Sequence, residues 1–367
     1  MFNDKRVAIV HDSIFPHSDA KDALDVLTNM LPNADIFCVA DGTFSDRVKA
    51  QPGGVAWMKH IAARRTLSAG NVALRSLAVR AMDLRAYDII VSNCAGLAKG
   101  ARQRDSAVHI CYCHAAASWS AEARLDQKRM TERLLLSPVF AGLRWIDARL
   151  ATQPDYFIAA SRAVAARVKT VYGRNALVIY PPVDTAQYYR SGGQGKYILA
   201  ISPLVEEIRL DTLVAACNVI AKELWIVGEG PDRKRLESIA GPTVQFVGNP
   251  EGDAVRDLLA HCAAVFCPGV GEGFDTLPIK ANASGRPAIS FMTANAGETL
   301  MDGHTGILCR DSSAAGVADA IERCGSVDWD QEALMAHARS FDVSAFRTRF
   351  FTLLADVCGN YPARVLA

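Results

Sequence analysis

Short, nearly continuous apolar runs recur along the chain, and stretches with helical periodicity separate them. In the first half the runs are VAIVH (7–11), ADIFCVA (34–40), DIIVSN (88–93), VHICYCH (108–114), YFIAAS (156–161) and ALVIYPPV (176–183). Runs of this kind predict parallel strands covered on both faces. SRAVAARVKTVYG (161–173) predicts a helix that opens on a capping serine and stops at a glycine. Tyr188–Gly195 is polar, Gly-rich and without apolar period, which reads as a linker. The alternation then restarts with KYILAIS (196–202), ELWIVGEG (223–230), TVQFVGN (243–249), AAVFCPG (263–269), PAISF (287–291) and GILC (306–309). SAFRTRFFTLLADVCG (344–359) predicts an amphipathic helix ending at Gly359. Strand–helix alternation on both sides of one linker predicts an α/β chain of two doubly wound, Rossmann-like domains facing each other across a cleft. The expected domains are residues 1–185, completed by a C-terminal helix at about 344–367, and residues 186–343. Ligands of such sheets bind beyond the carboxyl ends of the strands, so the loops there are where chemistry is expected.

The chain has 367 residues, half of them hydrophobic, enough for two buried cores. No apolar run reaches the length of a membrane-spanning helix, and MFNDKRVAIVHDS carries charges where a signal peptide needs apolar residues. A cytoplasmic protein is expected. Net charge is only +1 but unevenly placed. Residues 1–185 hold 24 Lys and Arg against 17 Asp and Glu, whereas residues 186–367 hold 16 against 22. A basic half suits an anionic surface or ligand. Cys111, Cys113 and His114 form a CxCH cluster, but no second ligand pair has metal-site spacing. Strand alternation puts both cysteines on one face, so buried structural thiols are expected.

Several post-strand segments resemble glycosyltransferase family 4, the retaining enzymes of the GT-B fold. The segments are VAIVHD (7–12), CYCH (111–114), YFIAASRAVAARVKTVYGRNALVIYPPVD (156–184), GEGP (228–231), FVGN (246–249), GEGFDTLPIKANASGRPAIS (271–290) and DGHTGIL (302–308), in the family's order. The resemblance implies that the second domain holds a nucleotide-diphosphate sugar and the first binds the acceptor. It implies no metal and no cofactor beyond the sugar nucleotide. It places His114 near the anomeric region and Glu272 on sugar hydroxyls as the catalytic pair. Arg209 and Lys280 would face the donor's phosphates. Gly271, Gly273, Phe274, Asp275, Thr276, Leu277, Gly228 and Ser161 would complete the donor site. The implied activity is transfer of a hexose-like unit, with retention, to a saccharide or lipid-linked acceptor in surface polysaccharide or glycoconjugate biosynthesis.

The chain departs from the family pattern where a diphosphate is expected. Ser18 and Asp19 stand where the family has a glycine pair. Pro203 replaces the phosphate-binding Arg, and Ile208 replaces the Lys unless Arg209 takes over by a one-residue adjustment. Glu206 and Glu207 add like charge beside the phosphates. In the E-x7-E element Glu272 is kept, the second acid is Lys280, and Asp275 stands where glycine is usual. Three readings follow: a rearranged site using Arg209, Lys280 and Arg286, a differently activated donor, or a degenerate relative that binds a saccharide or partner enzyme without turnover.

Residues 57–87 carry six Lys and Arg against one acid, with Leu74, Leu77, Ala78, Ala81 and Leu84 at helical spacing. The stretch fits peripheral contact with an anionic membrane, or a packed helix with a solvated basic face. Other classes fit less well. DSIFPHSDA after the first run lacks the glycines of a dinucleotide fingerprint, no P-loop occurs, and no nucleic-acid module accompanies the basic stretch.

Overall fold

A computed structural model describes residues 5–13, 19–40, 76, 79–80, 82–101, 106–116, 141–193, 195–269 and 273–364. The apolar runs form two six-stranded sheets, and every pairing in them is parallel. The first holds β1 (Val7–Ser13), β2 (Asp35–Ala40), β3 (Ile89–Cys94), β4 (Val108–Cys113), β5 (Tyr156–Ala159) and β6 (Ala176–Val178), in the order β2-β1-β3-β4-β5-β6. The second holds β7 (Ile198–Ile201), β8 (Leu224–Val227), β9 (Val244–Gly248), β10 (Ala264–Cys267), β11 (Ala288–Phe291) and β12 (Gly306–Cys309), in the order β12-β11-β10-β7-β8-β9. Each order reverses once, between β1 and β3 in the first sheet and between β7 and β10 in the second. Connections leave those neighbours in opposite directions, which opens a crevice beyond their carboxyl ends.

The continuous apolar runs are explained by burial on both faces. Along β7, Ile198 and Ala200 enter one core cluster while Leu199 enters another. β10 repeats the division, with Ala264 and Phe266 on one side and Val265 and Cys267 on the other. In the first sheet Cys94, Cys111 and Cys113 share one core cluster, as their alternation requires.

Two expectations need correction. The run 176–183 forms a strand only to Val178, because Pro181 and Pro182 have no amide with which to extend the ladder. The C-terminal helix runs over Val343–Arg364 and does not stop at Gly359. A glycine ends a helix when it turns left-handed; here it stays helical, at a cost of about 1 kcal/mol relative to alanine. Helix Arg162–Tyr172 does follow its sequence signals: Ser161 Oγ accepts from the Val164 amide, and Gly173 closes the helix at φ 67°.

The chain forms two compact units. The first comprises the described residues of Met1–Pro181, Glu272–Phe274 and Phe346–Ala367; the second comprises those of Pro182–Gly271 and Asp275–Ala345. The Gly-rich stretch after Tyr188 lies in the second unit. Arg286 holds it there, donating to the Ser191 and Gly193 carbonyls and, at 2.7 and 2.9 Å, to Ala260. The expectation that Arg286 faces phosphate is therefore not met, because its buried guanidinium is committed to backbone oxygens.

Candidate functional site

Asp12 stands at the crevice of the first sheet. Its carboxylate accepts from four consecutive amides beyond β3: Ala95 at 2.7 Å, Gly96 at 2.6 Å, Leu97 at 2.7 Å and Ala98 at 2.5 Å. Charge-assisted bonds of this kind are about twice as strong as neutral ones, and four from one carboxylate fix the loop. Lys99 follows directly and is fully buried. It donates to the Gly96 carbonyl and, at 2.6 Å, to Asp147 in the helical residues 141–150. Tyr172 donates to the other Asp147 oxygen at 2.5 Å. Burial works against the Lys99 ammonium, but chiefly the Asp147 charge outweighs it and holds the lysine pKa well above its ordinary value.

β4 ends beside this loop and delivers His114. Its Nε2 lies 2.5 Å from Asn93 Oδ1, and its ring meets Tyr112 edge-on with centroids 4.7 Å apart. Burial, with a smaller contribution from His11, pushes the His114 pKa down to about 3, so the ring is neutral. Gly273 belongs to the same unit: a Cβ there would lie 3.5 Å from the His114 carbonyl oxygen. Phe274 is buried and stacks on Tyr180 at 5.2 Å. His114, Gly273 and Phe274, distant in sequence, are thus brought together.

The second sheet's crevice is bounded by the loops after β7 and β10. The first loop passes so close to the glycines after β8 that side chains have no room. A Cβ on Gly228, which sits at φ 139°, would lie 1.9 Å from the Ser202 carbonyl oxygen, and one on Gly230 would lie 2.2 Å from that of Leu204. The loop ends at Arg209, an exposed non-glycine residue held left-handed at φ 57° where helix Leu210–Val219 begins. Such a conformation costs of order 1–3 kcal/mol and collects at functional sites. Its guanidinium reaches Thr212 Oγ1 at 3.4 Å. Glu206 and Glu207, also exposed, precede it.

After β10, Asp275 folds its carboxylate onto the start of helix Leu277–Ala283, where Oδ1 accepts from the Leu277 amide at 3.0 Å. Burial raises the Asp275 pKa, while that amide and the charge of Lys280 work against the rise. The added acid and the added cation of this segment therefore offset each other. Thr276 precedes the helix and Leu277 opens it. Ser161 caps its helix and is fully buried. Gly271 and Glu272 lie outside the described residues, as do Ser18 and most of 57–87. Within that last stretch Val79, Leu84 and Tyr87 are buried, and exposed Arg85 pairs with Asp83 at 2.9 Å. Among the described residues no three His, Cys, Asp or Glu side chains converge as a metal site requires, and no helix is long and apolar enough to cross a membrane.

The profile of the family described as Glycosyltransferase Family 4 matches residues 34–187, and that of Glycosyl transferases group 1 matches residues 195–326. The chain belongs to glycosyltransferase family 4. This family-4 chain is 22% identical to an uncharacterized glycosyltransferase of Methanocaldococcus jannaschii over 187 residues, which is 50% of this chain and 53% of that one. It is 29% identical over 249 residues to a GDP-mannose-dependent alpha-(1-6)-phosphatidylinositol monomannoside mannosyltransferase of Mycobacterium tuberculosis, covering 58% and 63% of the two chains. The match thus spans between half and two thirds of these relatives. Among solved structures, Anabaena Alr3699/HepE in complex with UDP-glucose superposes with a TM-score of 0.71 at 17% identity, covering 96% of this chain and all of that one. Sucrose-phosphate synthase from Thermosynechococcus elongatus gives the same values. At such identity the likeness establishes the fold, which is GT-B.

Asp12, Asn93, Lys99, Asp147 and Tyr172 were not singled out from sequence. The run VAIVHD does end in a His and an acid at a strand's carboxyl end, a position worth marking in a parallel sheet. Lys99 and Asp147 stand 48 positions apart, and no local pattern joins them.

Proposed function

We propose that this family-4 chain transfers a sugar from a nucleotide-diphosphate donor to a saccharide or lipid-linked acceptor. The observation that carries the reading is the crevice between β7 and β10, where glycines without room for a Cβ support a loop ending in left-handed Arg209. Backbone laid so closely brings amides toward a ligand, as phosphate recognition needs. A protein of the same fold is seen in complex with UDP-glucose, and a sequence relative is described as GDP-mannose-dependent. In this reading Arg209 and Lys280 neutralise the diphosphate, with Gly228, Thr276 and Leu277 around it. His114, with Glu272, stands at the transferred sugar. The transfer retains anomeric configuration and serves surface polysaccharide or glycoconjugate assembly, with the basic stretch 57–87 resting on an anionic membrane.

A second reading, binding without turnover, draws on Glu206 and Glu207 beside Arg209 and on the exchange of an acid for Lys280. Calorimetry against UDP, GDP, ADP and their sugars, followed by an assay for released nucleotide, separates the two. Sugar transfer expects one nucleotide to bind, with affinity falling at least tenfold in Arg209→Ala and in Lys280→Ala; loss of one charge-assisted contact is worth about 1.5–3 kcal/mol. A folded protein that binds none of the panel refutes the transfer reading. Binding without nucleotide release supports the second.

A further inference from the structure

Asn93 is buried on β3, and both arms of its amide are used. Nδ2 donates to the Ala20 carbonyl at 2.8 Å, in the first turn of helix Asp19–Met30. A carbonyl oxygen only accepts, so the amide is oriented with Nδ2 toward Ala20 and Oδ1 toward His114. Oδ1 also only accepts, so Nε2 of His114, 2.5 Å away, carries the proton. The lone pair of the neutral ring then resides on Nδ1.

The surroundings hold that state. From β1, His11 Nδ1 contacts the Asn93 carbonyl at 3.1 Å, and its nearby ring disfavours a charge on His114. Asp12, the neighbour of His11, is committed to four amides. From β4 itself, Tyr112 offers an aromatic edge, backed by Phe346 of helix Val343–Arg364. Among the described residues the titratable groups that face His114 are thus His11 and Tyr112, and an amide stands where catalytic histidines often meet a carboxylate.

We propose that Asn93 is a positioning residue that fixes His114 as the neutral Nε2–H tautomer, so that the ring offers Nδ1 as an acceptor to a sugar hydroxyl and brings no positive charge to a phosphate. The tautomer follows from the geometry alone; only the identity of the ligand rests on the sugar-transfer reading. Removal of the phosphate charge then falls to other groups, and the ligand at His114 must present a hydrogen-bond donor.

The test is nitrogen NMR of the full chain labelled in histidine, with the His114 signal assigned by its loss in His114→Gln. The wild-type ring is expected to carry its proton on Nε2 and not to titrate between about pH 5 and 8, where a free imidazole does. Asn93→Asp places a carboxylate at the same point. It should raise the His114 midpoint by about 1–3 pH units and add to the transfer rate an acid dependence that the wild type lacks. UDP-glucose or GDP-mannose should shift the Nδ1 signal toward a hydrogen-bonded acceptor. A wild-type ring protonated on Nδ1, or titrating near its ordinary value, overturns the proposal even where Asn93→Asp does not fold. An Nε2–H ring in a folded protein that binds none of UDP, GDP, ADP and their sugars leaves the tautomer standing and refutes the sugar-transfer reading instead.

Discussion

Acid should loosen the first unit through two buried histidines, one on β4 and one just after it. His109 and His114 are both buried on or just after β4, and burial pushes each pKa down to about 3 from an ordinary 6.5. The unfolded imidazole binds its proton near pH 6.5 and the native one only near pH 3. Between those values the unfolded state holds the extra proton, so stability is full above about pH 6.5 and falls as pH falls. Each pKa unit is worth about 1.4 kcal/mol. Between pH 7 and pH 5 each histidine therefore costs about 2 kcal/mol, and the pair about 4. That is a large share of the 5–15 kcal/mol typical of a domain. Urea titrations at both pH values, followed by hydrogen exchange in peptides covering β3 and β4, measure the loss. Carboxylates titrate in the same range, so the informative quantity is the difference between proteins. His109→Asn and His114→Asn should each lose about 2 kcal/mol less than wild type over this interval, whatever they cost at pH 7. Variants whose stability falls as steeply as that of wild type would show that these rings are protonated in the native state, and the burial reasoning would fail.

Two further outcomes follow from contacts within single units. Gly228→Ala forces a Cβ to within 1.9 Å of the Ser202 carbonyl oxygen at a φ that alanine rarely adopts. Calorimetric melting should show a loss of several kcal/mol, of order 3 or more, together with weakened nucleotide binding; an unchanged melt would refute the close approach. Lys99→Met removes the ammonium paired with the buried Asp147, and breaking a buried pair costs about 3–5 kcal/mol. Lys99→Met combined with Asp147→Leu should recover most of that loss, and a double variant no more stable than the single one would deny that the charges are coupled.

The strands were legible in the sequence because each is buried on both faces, and a two-sided core needs a continuous apolar run whatever surrounds it. Ser161 and Gly173 were legible for a similar reason, since capping is chemistry between residues three or four positions apart. The family was legible because its motifs occupy post-strand loops in a fixed order. The ends of elements were less so. Gly359 looked like a stop and Ile179–Val183 like strand, because whether a glycine turns left-handed or a strand finds partners depends on contacts beyond the local window.

The strand-end chemistry was decided by the tertiary structure. In the sequence Asp12 is one acid after an apolar run; in the fold it holds four amides some 83 to 86 positions away. Arg286 read as a spare cation and proved to be a buried clasp on its own backbone. Asp275 and Lys280 read as two separate departures, yet the fold sets their charges against each other. Periodicity reports which side of an element is dry, because burial repeats with the geometry of the element itself. It carries no information about which carboxylate meets which amide, since that depends on the order in which strands assemble in each sheet. The sequence by itself therefore determined the two parallel α/β sheets and the family. Only the assembled fold decided how Asn93 holds the ring of His114.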